Sequence, residues 1–370
     1  MKKIKTNNII RFLNLSIENK RDRSNYTKEV NNFLKKGIFM MGEEVIKFEN
    51  NIKNFLNKKY CVGVSSGTNA IYLSLRALGI KKNDEILVPC MSWYSTFSAI
   101  KVIGAKPISC DIDNDLIIDI NDVVKKINKR TKAIIIVHFT GLLKDHTKLY
   151  KLCKEKGIKV IEDCAQAFGT SVNNKYVGSF SDISAFSMNP MKVYGAFGEA
   201  GCICTNNYNY YRKLLTLRYA GVDMKKDECI YPELNHKIDS IQALVLNIKL
   251  KKFRDIHLKR IENASIYEKY LTNKVVKPKF YNDKRHLYYT YTILTNERIK
   301  LQKYLEKHSI QTRIQHKKIM EDHIGFKVDN LKRNINGNVL KNQVLSLPVH
   351  ENLKKNEIMK TIKIINDFFT

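Results

Sequence analysis

The sequence predicts an α/β protein: a mostly parallel sheet wrapped by helices, with a smaller α+β domain after it. Three observations predict this class. Short apolar runs bounded by turn residues alternate with amphipathic stretches through roughly the first two-thirds of the chain. Each interval between those runs is long enough for a crossover helix, which parallel neighbours require and hairpins do not. Past about residue 277 the alternation loosens into a mixed succession of strands and helices.

A strand ending at 64 leads into a helix over 68–78. Strands are expected at 85–89, 107–111, 133–138 and 159–162, with helices at 95–103, 120–127 and 146–156 between them. Two more strands follow at 183–187 and 200–205. A long helical stretch over 239–271 should link two domains, an N-terminal arm with a large domain (1–250) and a small C-terminal domain (251–370). In the second, 287–294 and 311–315 read as strands, and 299–308 and 356–369 as helices. No internal repeat is present. Open α/β sheets bind ligands at the carboxyl ends of their strands, so reactive residues should lie just after strands.

Composition narrows the function. Against 65 Lys and Arg stand 36 Asp and Glu, a formal net charge of +29. The lysines are spread along the whole chain among Ile and Asn, with no nucleic-acid reading module and no basic–aromatic stripe, so no nucleic-acid partner is expected. The positive field suits an anionic substrate. No apolar run approaches bilayer length, and the basic start (Lys2, Lys3, Lys5) is not followed by a signal-peptide core. A cytoplasmic protein with no membrane partner is expected. The eight cysteines are scattered without zinc-ligand spacing, which predicts buried reduced thiols and no metal.

Three segments could carry chemistry. Ser65-Ser66-Gly67-Thr68-Asn69-Ala70 follows a strand and opens a helix. Unpaired N–H groups and the positive dipole end suit a phosphate there, and Gly67 lets backbone approach closely. Simple N-capping by Ser66 is the alternative. Asp163 stands at the carboxyl end of a strand, in Glu162-Asp163-Cys164-Ala165-Gln166. A carboxylate in that place can keep a pyridine nitrogen protonated and so make a ring an electron sink; otherwise it caps a helix. Lys192 lies just beyond a strand, between Pro190 and glycine-containing turns. An amine partly withdrawn from water can form a Schiff base with an aldehyde; otherwise it is one more surface lysine.

With these residues in place the chain resembles the DegT/DnrJ/EryC1/StrS family of sugar aminotransferases, which share the aspartate-aminotransferase-like fold of PLP-dependent transferases. The resemblance runs from about residue 39 nearly to the end. It is carried by Ser66-Gly67-Thr68-Asn69-Ala70, Val88-Pro89, His138-Phe139-Thr140-Gly141, Glu162-Asp163-Cys164-Ala165-Gln166, Ser187 with Lys192, Gly198-Glu199-Ala200-Gly201, Leu234-Asn235-His236-Lys237, Ile241-Gln242-Ala243 and Leu345-Ser346-Leu347-Pro348-Val349-His350, in that order.

The resemblance implies pyridoxal 5'-phosphate (PLP) as cofactor. It implies that Lys192 carries the cofactor, Asp163 pairs with the ring nitrogen and Gln166 bonds the ring hydroxyl. Trp93 would stack on the ring with Ala165 near the opposite face. Thr68, Ser187 and the amides of Gly67 and Asn69 would hold the phosphate, and Asn235 would reach it from a second subunit, making a homodimer with shared active sites. Lysine at 192, where some relatives carry histidine and dehydrate instead, implies transamination from L-glutamate to a keto sugar. The expected acceptor is a nucleotide-linked 4-keto-6-deoxyhexose, and the product a 4-amino-4,6-dideoxy sugar for surface glycans. The rivals are the same chemistry on a 3-keto sugar or an inosose, and a non-catalytic regulatory homologue.

Three departures from the family pattern matter. Lys237 stands where an arginine is frequent, so a fork for the donor's carboxylate becomes a point charge. Ala200 replaces a glycine. The segment Thr312-Arg313-Ile314-Gln315-His316-Lys317 lacks the usual His-Tyr-x-x-Pro pattern, leaving Arg313 and His316 as candidate substrate contacts.

Overall fold

A computed structural model describes residues 9–326 and 334–370; the basic residues at 2–5 lie outside them. Two helices, α1 (Lys20–Lys36) and α2 (Glu43–Phe55), precede the sheet. There follow β1 (Tyr60–Val64), α3 (Gly67–Ala77), β2 (Glu85–Pro89), α4 (Tyr94–Val102), β3 (Lys106–Cys110), α5 (Ile120–Lys126), β4 (Thr131–Val137), α6 (Thr147–Glu155) and β5 (Lys159–Asp163). A two-strand ribbon, β6 (Ser171–Val172) with β7 (Lys175–Tyr176), leads to β8 (Ile183–Ser187), β9 (Gly201–Thr205) and α7 (Tyr208–Arg218). A second ribbon, β10 (Val222–Asp223) with β11 (Glu228–Cys229), precedes α8 (Ser240–Leu250) and α9 (Phe253–Tyr270). The chain closes with β12 (Tyr291–Leu294), α10 (Arg298–Lys307), α11 (Ile335–Leu340), β13 (Val344–Leu347) and α12 (Lys355–Phe368).

The main sheet has seven strands in the order β1-β9-β8-β5-β4-β2-β3. Only β9 runs against the rest, paired antiparallel to both β1 and β8. The expected α/β architecture is thus present. Alternation along the strands separates two cores: Ile203 packs with Val62, Ile134 and Ile161, whereas Cys202 and Cys204 pack with Phe48, Phe186 and Tyr194. A third core gathers Ile10 with residues from Ile261 to Ile365 around the β12–β13 pair.

Local chemistry sets the helix ends. Ser66 caps α3 by accepting from the Asn69 amide, and Asn207 caps α7 by accepting from the amides of Asn209 and Tyr210. Gly37, at φ 67°, ends α1 in the left-handed conformation that only glycine adopts without strain.

Several details differ from expectation. The 239–271 stretch is two helices, broken at Lys251–Lys252. The break aims Phe253 into an aromatic cluster with Phe55, Phe168 and Tyr194. The strand expected at 287–294 covers only Tyr291–Leu294, because Tyr288 takes a positive φ of 48° and interrupts the extended run. The 311–315 segment is no strand; it makes one bridge, Arg313 with Ser346. Of the cysteines, Cys229 is exposed and the other seven are buried; the sulfurs of Cys61, Cys202 and Cys204 lie within 4.8 Å of one another in the apolar core. Their spacing in sequence hides that grouping, because strand pairing places Cys61 opposite Cys204.

Candidate active site

A cavity of ≈ 220 Å³ opens where the parallel strands end. It collects ten of the thirteen candidate residues: Gly67, Thr68, Trp93, Asp163, Ala165, Gln166, Ser187, Lys192, Arg313 and His316. Strand ends account for most of it. Gly67 and Thr68 follow β1, Trp93 follows β2, Asp163 closes β5, and Ser187 closes β8 just ahead of Lys192.

The α3 end of the cavity is built by close backbone approach. A methyl group at Gly67 would lie 2.4 Å from Ser187 Cβ, so glycine alone lets the helix start touch β8. The Thr68 and Ser95 hydroxyls are 2.7 Å apart at that end. Asn69 is not on the cavity. Its amide donates to Ser66 Oγ and its side chain to Ser65 Oγ, so the amide expected for a phosphate is spent on capping.

Asp163 is buried, and its Oδ1 accepts from the Ala165 amide (3.1 Å). Thr96 Oγ1 donates to Oδ2 (3.3 Å). Burial raises its carboxyl pKa, against the lowering pull of these bonds and of Lys192. Among the described residues it forms no ion pair. Gln166 uses Oε1 to accept from the amide of Thr140, a residue held at φ 57°; its NH2 end is left to donate.

Lys192 sits in a tight turn closed by its own amide to the Asn189 carbonyl and by the Ala196 amide to the Met188 carbonyl. Its Nζ is 5.0 Å from the centre of the Tyr289 ring. His316 is buried beside Phe139, with ring centres 5.3 Å apart. Burial, with Arg313 and Lys192 nearby, lowers its pKa to about 4, so the imidazole is neutral at ordinary pH.

The model of the DegT/DnrJ/EryC1/StrS aminotransferase family matches residues 20–366. The chain belongs to that family. A dTDP-3-amino-3,6-dideoxy-alpha-D-galactopyranose transaminase of Aneurinibacillus thermoaerophilus is 32% identical, over 97% of this chain and 99% of its own. A GDP-perosamine synthase of Escherichia coli O157:H7 is 35% identical, over 75% of this chain and 77% of its own. Among solved structures, DesV of S. venezuelae in complex with a ketimine intermediate superposes with a TM-score of 0.93 at 26% identity, covering 97% and 98% of the two chains. The protein is therefore an aminotransferase that depends on pyridoxal phosphate.

The residues present fit that cofactor. A buried carboxylate with no cationic partner asks for one, and a protonated ring nitrogen supplies it. The contact between Gly67 and Ser187, with the hydroxyls of Thr68 and Ser95 alongside, offers donors to a phosphate at a helix N-terminus. Lys192 opens onto the same cavity as both.

Two candidates stand apart from it. Asn235, which is exposed, bridges Tyr219, and Lys237 lies with Nζ 4.2 Å from the centre of the Tyr219 ring; neither borders the cavity of its own chain. The sequence reading missed Thr96, Ser95 and Tyr289. Thr96 had a weak signal, lying three residues past Trp93 and so on the inward side of the first turn of α4. Tyr289 had none, because its place depends on the interrupted backbone at Tyr288.

Among the described residues, no helix is long and apolar enough to cross a membrane.

Proposed function

We propose that this aminotransferase moves an amino group from L-glutamate to a nucleotide-linked 4-keto-6-deoxyhexose, giving a 4-amino-4,6-dideoxy sugar for surface glycans. The observation that carries the amino-transfer chemistry is the convergence of Lys192 and the unpaired Asp163 on one cavity. The acceptor reading rests on the perosamine-forming relative, perosamine being a 4-amino sugar. A relative that aligns over nearly the whole chain is named for a 3-amino sugar, which favours amination at C3 as the second reading.

Bound pyridoxal phosphate supplies an aldehyde that takes up the amino group and a cationic ring that draws electron density from the carbon being deprotonated. In this reading the Asp163 carboxylate holds positive charge at the ring nitrogen, and its burial strengthens that contact. The amine of Lys192 would take the proton from the donor's α-carbon and deliver it two bonds away, to the carbon of the cofactor's aldehyde group, a general acid–base shuttle. Thr68, Ser187 and the α3 N-terminus would bind the phosphate, and the free end of Gln166 would meet the ring hydroxyl. Trp93 and Ala165 would cover the two ring faces. Asn235 of a second subunit would complete the phosphate site, which makes the working form a homodimer in this reading.

An absorption spectrum before and after adding L-glutamate, beside Lys192→Ala, tests the donor and the lysine. The expected result is a visible band that glutamate bleaches and that the variant alters. Turnover of 3-keto and 4-keto nucleotide sugars then decides the acceptor. Reaction with only the 3-keto substrate sinks the C4 assignment.

A further inference from the structure

Beneath Lys192 lies a group of three charged side chains that the proposed chemistry does not employ. Lys249, on α8, donates from Nζ to the Gly195 carbonyl (3.2 Å), inside the turn that carries Lys192. Arg260, on α9, donates from Nη1 to the carbonyls of Tyr288 (2.8 Å) and Tyr289 (3.4 Å). Tyr289 is the residue whose ring faces the Lys192 amine. Glu351 holds the second of these arms: its Oε2 lies 3.0 Å from both Nε and Nη2 of Arg260. Burial pushes the Glu351 carboxyl up, but Arg260 foremost, with help from Lys249, brings it below the ordinary carboxylate range. The Lys249 amine is lowered by burial and by Arg260, with Glu351 opposing.

The Lys192 turn is held separately, by Lys249. A cavity of ≈ 720 Å³ runs beside it, bordered by Pro190, Lys192, Gly195, Lys249, Arg260 and Glu351. Apolar packing therefore leaves one flank of the turn unfixed. The turn is also wound tightly: a Cβ at Gly195 would lie 2.5 Å from the Asn189 carbonyl oxygen and 2.8 Å from that of Lys192. A directional bond to the Gly195 carbonyl fixes its orientation in a way that apolar contact cannot.

We propose that Glu351 is a positioning residue: through Arg260 it holds the Tyr289 wall against the Lys192 turn. One carboxylate from the C-terminal part of the chain thereby fixes the ring face that the amine meets. This inference rests on Lys192 as the residue that carries the cofactor.

The test compares wild type, Glu351→Gln, and a double variant Arg260→Met/Glu351→Leu. Replacing a buried ion pair by apolar groups of similar size commonly restores stability without restoring directional bonds. Amide hydrogen exchange of the cofactor-free protein reads the geometry directly. Glu351→Gln should exchange roughly tenfold faster over 286–291 while 189–198 and the main sheet are unchanged. In the holoenzyme, the rate at which glutamate bleaches the visible band should fall at least about tenfold, with the donor KM within roughly threefold. The double variant should regain melting temperature and recover neither local protection nor rate. A uniform rise in exchange across the chain, or a double variant that regains rate together with melting temperature, overturns the proposal and leaves a purely structural ion pair. A wild-type spectrum with no band that Lys192→Ala abolishes instead overturns the reading of Lys192, whatever the exchange pattern shows.

Discussion

Two walls of the cavity are built in opposite ways. The floor, Asp163–Gln166 and Ser187–Lys192, hangs from the carboxyl ends of adjacent parallel strands β5 and β8, paired residue by residue from Ile161 with Ile183 to Asp163 with Ala185. The opposite wall, Arg313–His316, sits on irregular backbone tied to β13 by the single bridge of Arg313 with Ser346. A strand end leaves a reacting group little freedom, whereas a loop changes shape with a few substitutions. Chemistry belongs on the first and selectivity on the second, and variants on the two walls should separate accordingly.

The largest effect is expected at the floor. Lys192→Ala should lower transamination by about 10³-fold or more, followed as glutamate-dependent amino transfer. Asp163→Asn keeps the shape and removes the charge, and should cost about 10²-fold in the same assay. On the other wall, His316→Phe should raise the acceptor KM about tenfold while leaving the glutamate half-reaction within roughly twofold. A half-reaction that collapses in His316→Phe would break the division between the walls. Gly67→Ala sharpens it from the stability side: the methyl must displace Ser187, at a cost of about 1–3 kcal/mol, and thermal melting should show PLP rescuing less of the loss than in wild type.

The smallest effect is a pH dependence of stability. His146, His257 and His316 have pKa values lowered by burial to about 4, and His286 to about 3, against an ordinary 6.5. Their folded-state values lie below the unfolded one, so between the two the unfolded chain binds more protons. The stability they contribute is complete above pH 6.5 and is lost as pH falls toward 4. Melting temperature measured from pH 7 down to 4.5 should decline steadily, with a shallower slope in His286→Gln.

The same division explains what was legible in the sequence. Asp163 and Lys192 could be read because an apolar run marks a strand, and a strand marks where its carboxyl end must be. The opening of α3 was legible as a Gly-containing turn suited to a phosphate, with N-capping by Ser66 as the alternative, and the Asn69 amide makes that capping bond. α1 escaped notice because its pattern is polar almost all round, with Phe33 alone buried. The break before Phe253 was hidden because it answers to an aromatic cluster assembled from Phe55, Phe168 and Tyr194, far apart in sequence. Glu351, Arg260 and Lys249 were invisible for the same reason: each is an ordinary charged residue until folding brings them to the border of one cavity.

Trp93 has one more consequence. It is the only tryptophan in the chain, it borders the cavity, and it is 52% exposed. The ultraviolet emission of the protein excited at the red edge of indole absorption therefore comes from the mouth of the active site and nowhere else. Occupancy of that cavity by any ring or sugar can be followed by light from the native protein, without a label.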